Sequence, residues 1–190
     1  VAGNAPRAAV ALVAKLLFWP TLWYNKLRHG KEGGATRWYN EVADGLILGA
    51  LPDADIAREL ATKEGVKGVV NLVAEWEGPV STYEELGVEQ LWVPTVDFTA
   101  PTIEDLERAV AWIRERRAEG KRVYVHCKAG KGRSASIVLA YLVATEGITA
   151  LEAQERLLAK RPQILTALHM RPEVVEFCRR AAALQEQGKG

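Results

Sequence analysis

Cysteine, histidine and long apolar runs are all scarce in this chain of 190 residues. Two cysteines, Cys127 and Cys178, cannot build a disulfide framework, and a reducing compartment is the simpler reading. With only His29, His126 and His169 beside them, the composition argues against a structural zinc site. A helix that spans a bilayer takes about 20 apolar residues. The candidate run here, Ala8 to Trp19, carries Lys15 near its middle and is broken by Pro20, which argues against a span. No internal repeat or long linker is visible. A composition of 48% hydrophobic and 26% charged residues excludes a disordered or low-complexity chain. The length fits about one domain of roughly 150 residues with a proper core.

What is present divides unevenly. The net charge of +1 hides six basic residues against one acidic in 1–40, and nineteen against twenty-three in 41–190. A basic, apolar leader on a slightly acidic domain points to an anionic surface such as a membrane, and away from nucleic acid. In one reading the leader, residues 1–36, is a helix in the interfacial plane. Trp19, Trp23 and Tyr24 then sit at headgroup level, and Lys15, Lys26 and Arg28 meet anionic lipid. In the other, the helix packs its apolar face on the domain and buries the tryptophans.

From 37 onward, short apolar runs alternate with helical periods. Strands are predicted over Leu46–Gly49, Val69–Val73, Gln90–Val93 and Arg122–His126. Helices are predicted over Asp53–Ala61 with Asp53 as cap, from Thr102 to Gly120, over Arg133–Thr145, Ala150–Lys160 and Pro172–Leu184, with a helical turn at Tyr83–Leu86. Thr102-Ile103-Glu104-Asp105 reads as a capping box. This alternation predicts an α/β sandwich: a mainly parallel central sheet flanked by helices over 37–190, with an N-terminal helical appendage.

The informative segment is Val125-His126-Cys127-Lys128-Ala129-Gly130-Lys131-Gly132-Arg133-Ser134. A strand delivers Cys127 into a loop whose glycines let the backbone curl, and a helix begins at the far end. Successive N–H groups in such a loop form a nest for an anion, and the helix N-terminus adds positive potential. Arg133 can return and grip two phosphate oxygens at once. The same field lowers the pKa of a central thiol, so Cys127 is expected to be a thiolate near neutrality. A nucleophile in an anion cradle reads as phosphoryl transfer through a cysteinyl-phosphate. From this composition the pattern H-C-x5-R arises by chance ~0.0025 times per sequence. Lys128 and Lys131 add positive charge at the loop rim, unless they are simply solvated. Cys178, beside Phe177, reads as core.

His126 to Ser134 resembles the signature loop of the cysteine-dependent protein tyrosine and dual-specificity phosphatases. Tyr39-Asn40, Leu48-Gly49-Ala50-Leu51-Pro52, Gly87-Val88-Glu89-Gln90-Leu91, Thr95-Val96-Asp97 and Arg171-Pro172 are similar to the mitochondrial phosphatidylglycerophosphate phosphatases, lipid-directed members of that group. The resemblance implies removal of the terminal phosphate of phosphatidylglycerophosphate on the route to cardiolipin, at the mitochondrial inner membrane or, in a bacterium, at the cytoplasmic membrane. It implies that Cys127 attacks phosphorus while Arg133 and the amides of Lys128, Ala129, Gly130, Lys131, Gly132 and Ser134 hold the oxygens. Ser134 would bond the sulfur and His126 would orient the loop from behind. Asp97 would be the general acid; read without the resemblance, it is more simply a helix-entry or turn residue. No metal or organic cofactor is called for, and the partner is an anionic phospholipid. The loop also looks like that of the tumour-suppressor phosphoinositide 3-phosphatase, so a phosphoinositide or phosphoprotein substrate is the alternative. Glu75-Trp76-Glu77-Gly78-Pro79 resembles a lipid-phosphatase loop over the pocket, or is an acidic surface turn; Arg171 either approaches the phosphate or caps the last helix.

Overall fold

The computed structural model describes Pro20 and residues 37–187. The appendage read over 1–36 therefore lies, Pro20 apart, outside the described residues. A five-stranded mixed sheet forms the middle layer: β1 (Tyr39–Ala43), β2 (Leu46–Gly49), β3 (Val66–Val73), β4 (Glu89–Thr95) and β5 (Arg122–His126), in the order β1-β2-β5-β3-β4. The β1–β2 pair is antiparallel and the other three pairs are parallel. β1 joins β2 through Asp44-Gly45, and Gly45 supplies the positive φ of 60° that so short a hairpin connection demands. β5 is central because its β-branched and aromatic residues can be buried on both faces.

Side chains alternate across that sheet. Leu46, Leu48, Val123 and Val125 face α3 (Ile103–Ala118), α4 (Arg133–Glu146), α5 (Ala150–Lys160) and α6 (Pro172–Gln187), where Leu106, Ile113, Ile137 and Leu157 complete the larger core. Ile47 and Tyr124 face the other way, onto Leu60 of α1 (Ala54–Thr62) and Tyr83 of α2 (Val80–Leu86). Caps set the helix starts. Asp53 accepts from the Ile56 N–H at 3.0 Å, and Thr102 and Thr149 each form a reciprocal capping box, with Asp105 and Glu152. Parallel strands β2, β5 and β3 all end at one edge of the sheet, and the loop after β5 opens there.

Candidate active site

Cys127 follows β5 directly, and Arg133 opens α4 six residues later. The curl between them rests on Gly130, at a φ of 65°. A Cβ there would lie 2.4 Å from the Gly49 carbonyl oxygen and 2.7 Å from Arg161 Nη2, so both conformation and space require glycine. The Ser134 hydroxyl donates to Cys127 Sγ at 3.2 Å. Burial alone would push the thiol up. The Arg133 charge, the Ser134 hydroxyl and the backbone N–H groups of Ser134 and Lys131 outweigh it and bring the thiol down to about 7. Alkylation by iodoacetate should therefore accelerate through a midpoint near pH 7, since only the thiolate reacts. Cys178, which burial pushes up, stays slow in that range. Arg133→Met should move the midpoint well above 7, because burial is then opposed only by the Ser134 hydroxyl and the Ser134 and Lys131 N–H groups; a midpoint unchanged in that variant would remove Arg133 as the activating charge.

Arg133 is held on both sides. Nη1 donates to the carbonyls of Thr95 at 2.8 Å and Leu72 at 3.4 Å, anchoring the guanidinium to the ends of β4 and β3. Nη2 donates to Asp97 Oδ1 at 2.8 Å, and Glu75 Oε2 lies 3.6 Å from Nη1. Asp97 Oδ2 pairs with Lys128 Nζ at 3.4 Å, and the Asp97 N–H donates to Glu75 Oε1 at 3.1 Å. Two carboxylates and two cations thus interlock beside the nucleophile. Cys127, Asp97, Lys128 and Arg133 border a cleft of about 420 Å³, with Lys131, Gly132 and Arg171 on its walls. A larger groove, about 510 Å³, between α3, α4 and α6 carries no nucleophile.

The structure brings Cys127, Arg133, Asp97, Lys128, Ala129, Lys131 and Gly132 to this one cleft. His126 stands behind it, fully buried, its ring stacked on Tyr124 at 5.6 Å and 24°. Burial pushes its imidazole down to about 3; the Cys127 backbone resists this and the Arg133 charge adds to it, so His126 is neutral near pH 7. Lys128 differs from the rim position expected of it: it is buried and bound to Asp97. Glu75 is no surface turn residue either, since its buried carboxylate reaches both Asp97 and Arg133. Arg171 touches the loop side, with Nη1 donating to Ser136 Oγ at 3.2 Å, and its backbone carbonyl also caps α6 by accepting from the Val175 N–H.

Sequence reasoning passed over Arg161. This arginine at the end of α5 is buried and meets neutral acceptors: Gly130 O at 2.9 Å, Ala129 O at 3.3 Å, Asn40 Oδ1 at 2.7 Å and the carbonyls of Arg37 and Trp38. By pulling the Ala129 and Gly130 carbonyls backward it leaves the opposite side of the loop to its N–H groups. A basic residue closing a helix just before Pro162 looks in sequence like an ordinary dipole partner, so no local signal marks it.

A thiol brought down to about 7 by the charge of a buried arginine, in one cleft with an aspartate, defines a cysteine-dependent phosphatase. The chain belongs to the dual-specificity phosphatase family, whose catalytic domain (Dual specificity phosphatase, catalytic domain) matches residues 46–180. It is therefore a phosphoric monoester hydrolase. The human phosphatidylglycerophosphatase and protein-tyrosine phosphatase 1 is 39% identical over 176 residues, 87% of this chain and 86% of that protein. The phosphatidylglycerophosphate phosphatase PTPMT2 of Arabidopsis thaliana is 38% identical over 187 residues, 96% of this chain and 81% of that one. Among solved structures, a crystal structure of PTPMT1 superposes with a TM-score of 0.71 at 34% identity, covering 79% of this chain and 99% of that one.

Proposed function

We propose that the enzyme hydrolyses the terminal phosphate of phosphatidylglycerophosphate, leaving phosphatidylglycerol for cardiolipin synthesis. The observation that carries this reading is the Cys127–Arg133–Asp97 constellation, in a chain that matches the human phosphatidylglycerophosphatase and Arabidopsis PTPMT2 over more than four-fifths of their length. Cys127 Sγ attacks phosphorus and the bond to the lipid oxygen breaks. Asp97 gives that oxygen its proton, so the lipid leaves as an alcohol. Arg133 and the loop N–H groups hold the three equatorial oxygens throughout. Water then attacks the cysteinyl-phosphate, Asp97 takes its proton, and the S–P bond breaks with the Ser134 hydroxyl bonded to the departing sulfur. The incoming dianion displaces Asp97 from Arg133 Nη2, and the freed carboxylate takes up a proton from solvent and turns toward the leaving oxygen.

Work at a membrane follows from that substrate: the mitochondrial inner membrane, or the cytoplasmic membrane of a bacterium, with the basic leader over 1–36 resting on the surface. A second reading has its own support. A solved complex of PTPMT1 with PI(5)P superposes with a TM-score of 0.71 at 32% identity, covering 78% of this chain and 99% of that one, and two lysines lie in the loop of this chain. Phosphate release from phosphatidylglycerophosphate, a phosphoinositide panel and a phosphotyrosine peptide, side by side in mixed micelles with Cys127→Ser as blank, separates the readings. Preference for phosphatidylglycerophosphate is expected. Preference for a phosphoinositide would make the lysine-bearing loop the determinant of specificity and reduce the relatives to a guide to fold and chemistry.

A further inference from the structure

Six large apolar side chains are exposed among the described residues, and two of them line the cleft. Phe98 and Leu165 line it, at 73% and 47% exposure, and Met170, at 69%, immediately precedes Arg171, which lines it as well. Single exposed hydrophobes need no explanation, but a cluster around the nucleophile does. We propose that the mouth of the catalytic cleft is itself a membrane-docking surface: Phe98, Leu165 and Met170 seat in the acyl boundary of an anionic phospholipid bilayer while Lys131 and Arg171 meet the headgroups. This rests on the lipid-phosphatase reading and specifies how that substrate is met.

Three observations support it. Phe98 is the one non-glycine residue with positive φ among the described residues, at 66°. The left-handed backbone is unfavourable for a bulky L-residue, and so is a phenyl ring in water; glycine or asparagine would answer the turn better. A surface that accepts the ring offsets its exposure. Second, the far rim is built to hold its hydrophobes outward. The Leu165 N–H donates to the Lys131 carbonyl at 3.0 Å. Buried Gln154 grips the same strap twice, donating to Leu165 O at 3.0 Å and accepting from the Leu168 N–H at 3.0 Å. Third, the charge fits: Lys128 and Arg133 are engaged by Asp97 and Glu75, and Lys131 and Arg171 add two further cations to the cleft walls. Apolar tips beside cations are the arrangement that binds anionic interfaces. Docked this way, the phosphate reaches Cys127 while the acyl chains stay in the bilayer.

The test compares two forms of one headgroup, phosphatidylglycerophosphate in anionic vesicles and its short-chain monomeric analogue, using the full chain. The triple variant Phe98→Ser, Leu165→Ser, Met170→Ser should lower the ratio of vesicle to monomer turnover by about ten-fold or more. Leu151→Ser is the control: it is equally exposed but follows the far end of α4, roughly 20 Å of helix away from the loop. Its ratio should match wild type. An unchanged ratio in the triple variant, or an equal fall in Leu151→Ser, overturns the docking surface while leaving the substrate assignment intact. If the wild type releases phosphate from neither form, the substrate reading is what fails. Pelleting with anionic vesicles then decides the docking surface: weaker pelleting of the triple variant than of Leu151→Ser supports it, and equal pelleting overturns it.

Discussion

Cys127→Ser should abolish phosphate release, by about 10^4-fold or more, and still bind tetrahedral oxyanions. The serine hydroxyl would occupy the same place, but the forces that bring the thiol down to about 7 cannot ionise an alcohol near neutral pH. Everything else that holds a phosphate remains: the N–H groups around Gly130, the α4 N-terminus, and Arg133 braced on the Thr95 and Leu72 carbonyls. Removing the thiolate also takes away a negative charge that repels the incoming dianion. Tungstate affinity by calorimetry should therefore be equal to wild type or tighter. Turnover within about ten-fold of wild type would overturn the covalent route, because general acid catalysis and electrostatic binding alone would then be carrying the reaction.

Where a local chemical rule decides the outcome, the sequence was readable. The Thr102–Asp105 capping box has both of its bonds at 3.1 Å, and β5 runs over Arg122–His126, as its apolar content demands. Long-range pairing decides the rest. β1 carries buried Val42 between partly exposed neighbours and becomes a strand because β2 folds back on it, so its short run has no signal of its own. β3 begins at Val66, three residues before the apolar run, because pairing with β5 carries Lys67 and Gly68 into the sheet. α2 starts at Val80 behind Pro79 with no side-chain cap to announce it. The site divides the same way. Cys127, Arg133 and Ser134 lie within eight residues of one another in a strand–loop–helix and are legible together. Glu75 and Arg161 reach the loop from 52 residues before and 34 residues after Cys127, and only the folded sheet shows that one carboxylate faces Arg133 and one guanidinium holds the loop carbonyls.

Asp97→Ala should separate two roles that share one side chain. As proton donor, Asp97 matters most where the leaving oxygen is a poor one. Loss of the carboxyl should slow release of a lipid alcohol by about 10^2- to 10^4-fold, and slow an activated aryl phosphate much less, because that oxygen departs without a proton. As the partner of Arg133 Nη2 at 2.8 Å and Lys128 Nζ at 3.4 Å, Asp97 also competes with substrate for the cations that bind it. The variant should consequently bind inorganic phosphate more tightly even as its lipid turnover falls. Competitive inhibition by phosphate, measured on the aryl substrate, reads this directly. Equal losses on both substrates would take the acid role from Asp97. Weaker phosphate binding would mean that the aspartate's main service is to hold Arg133 and Lys128 in place, and that the displacement of carboxylate by phosphate is not how substrate enters the cleft.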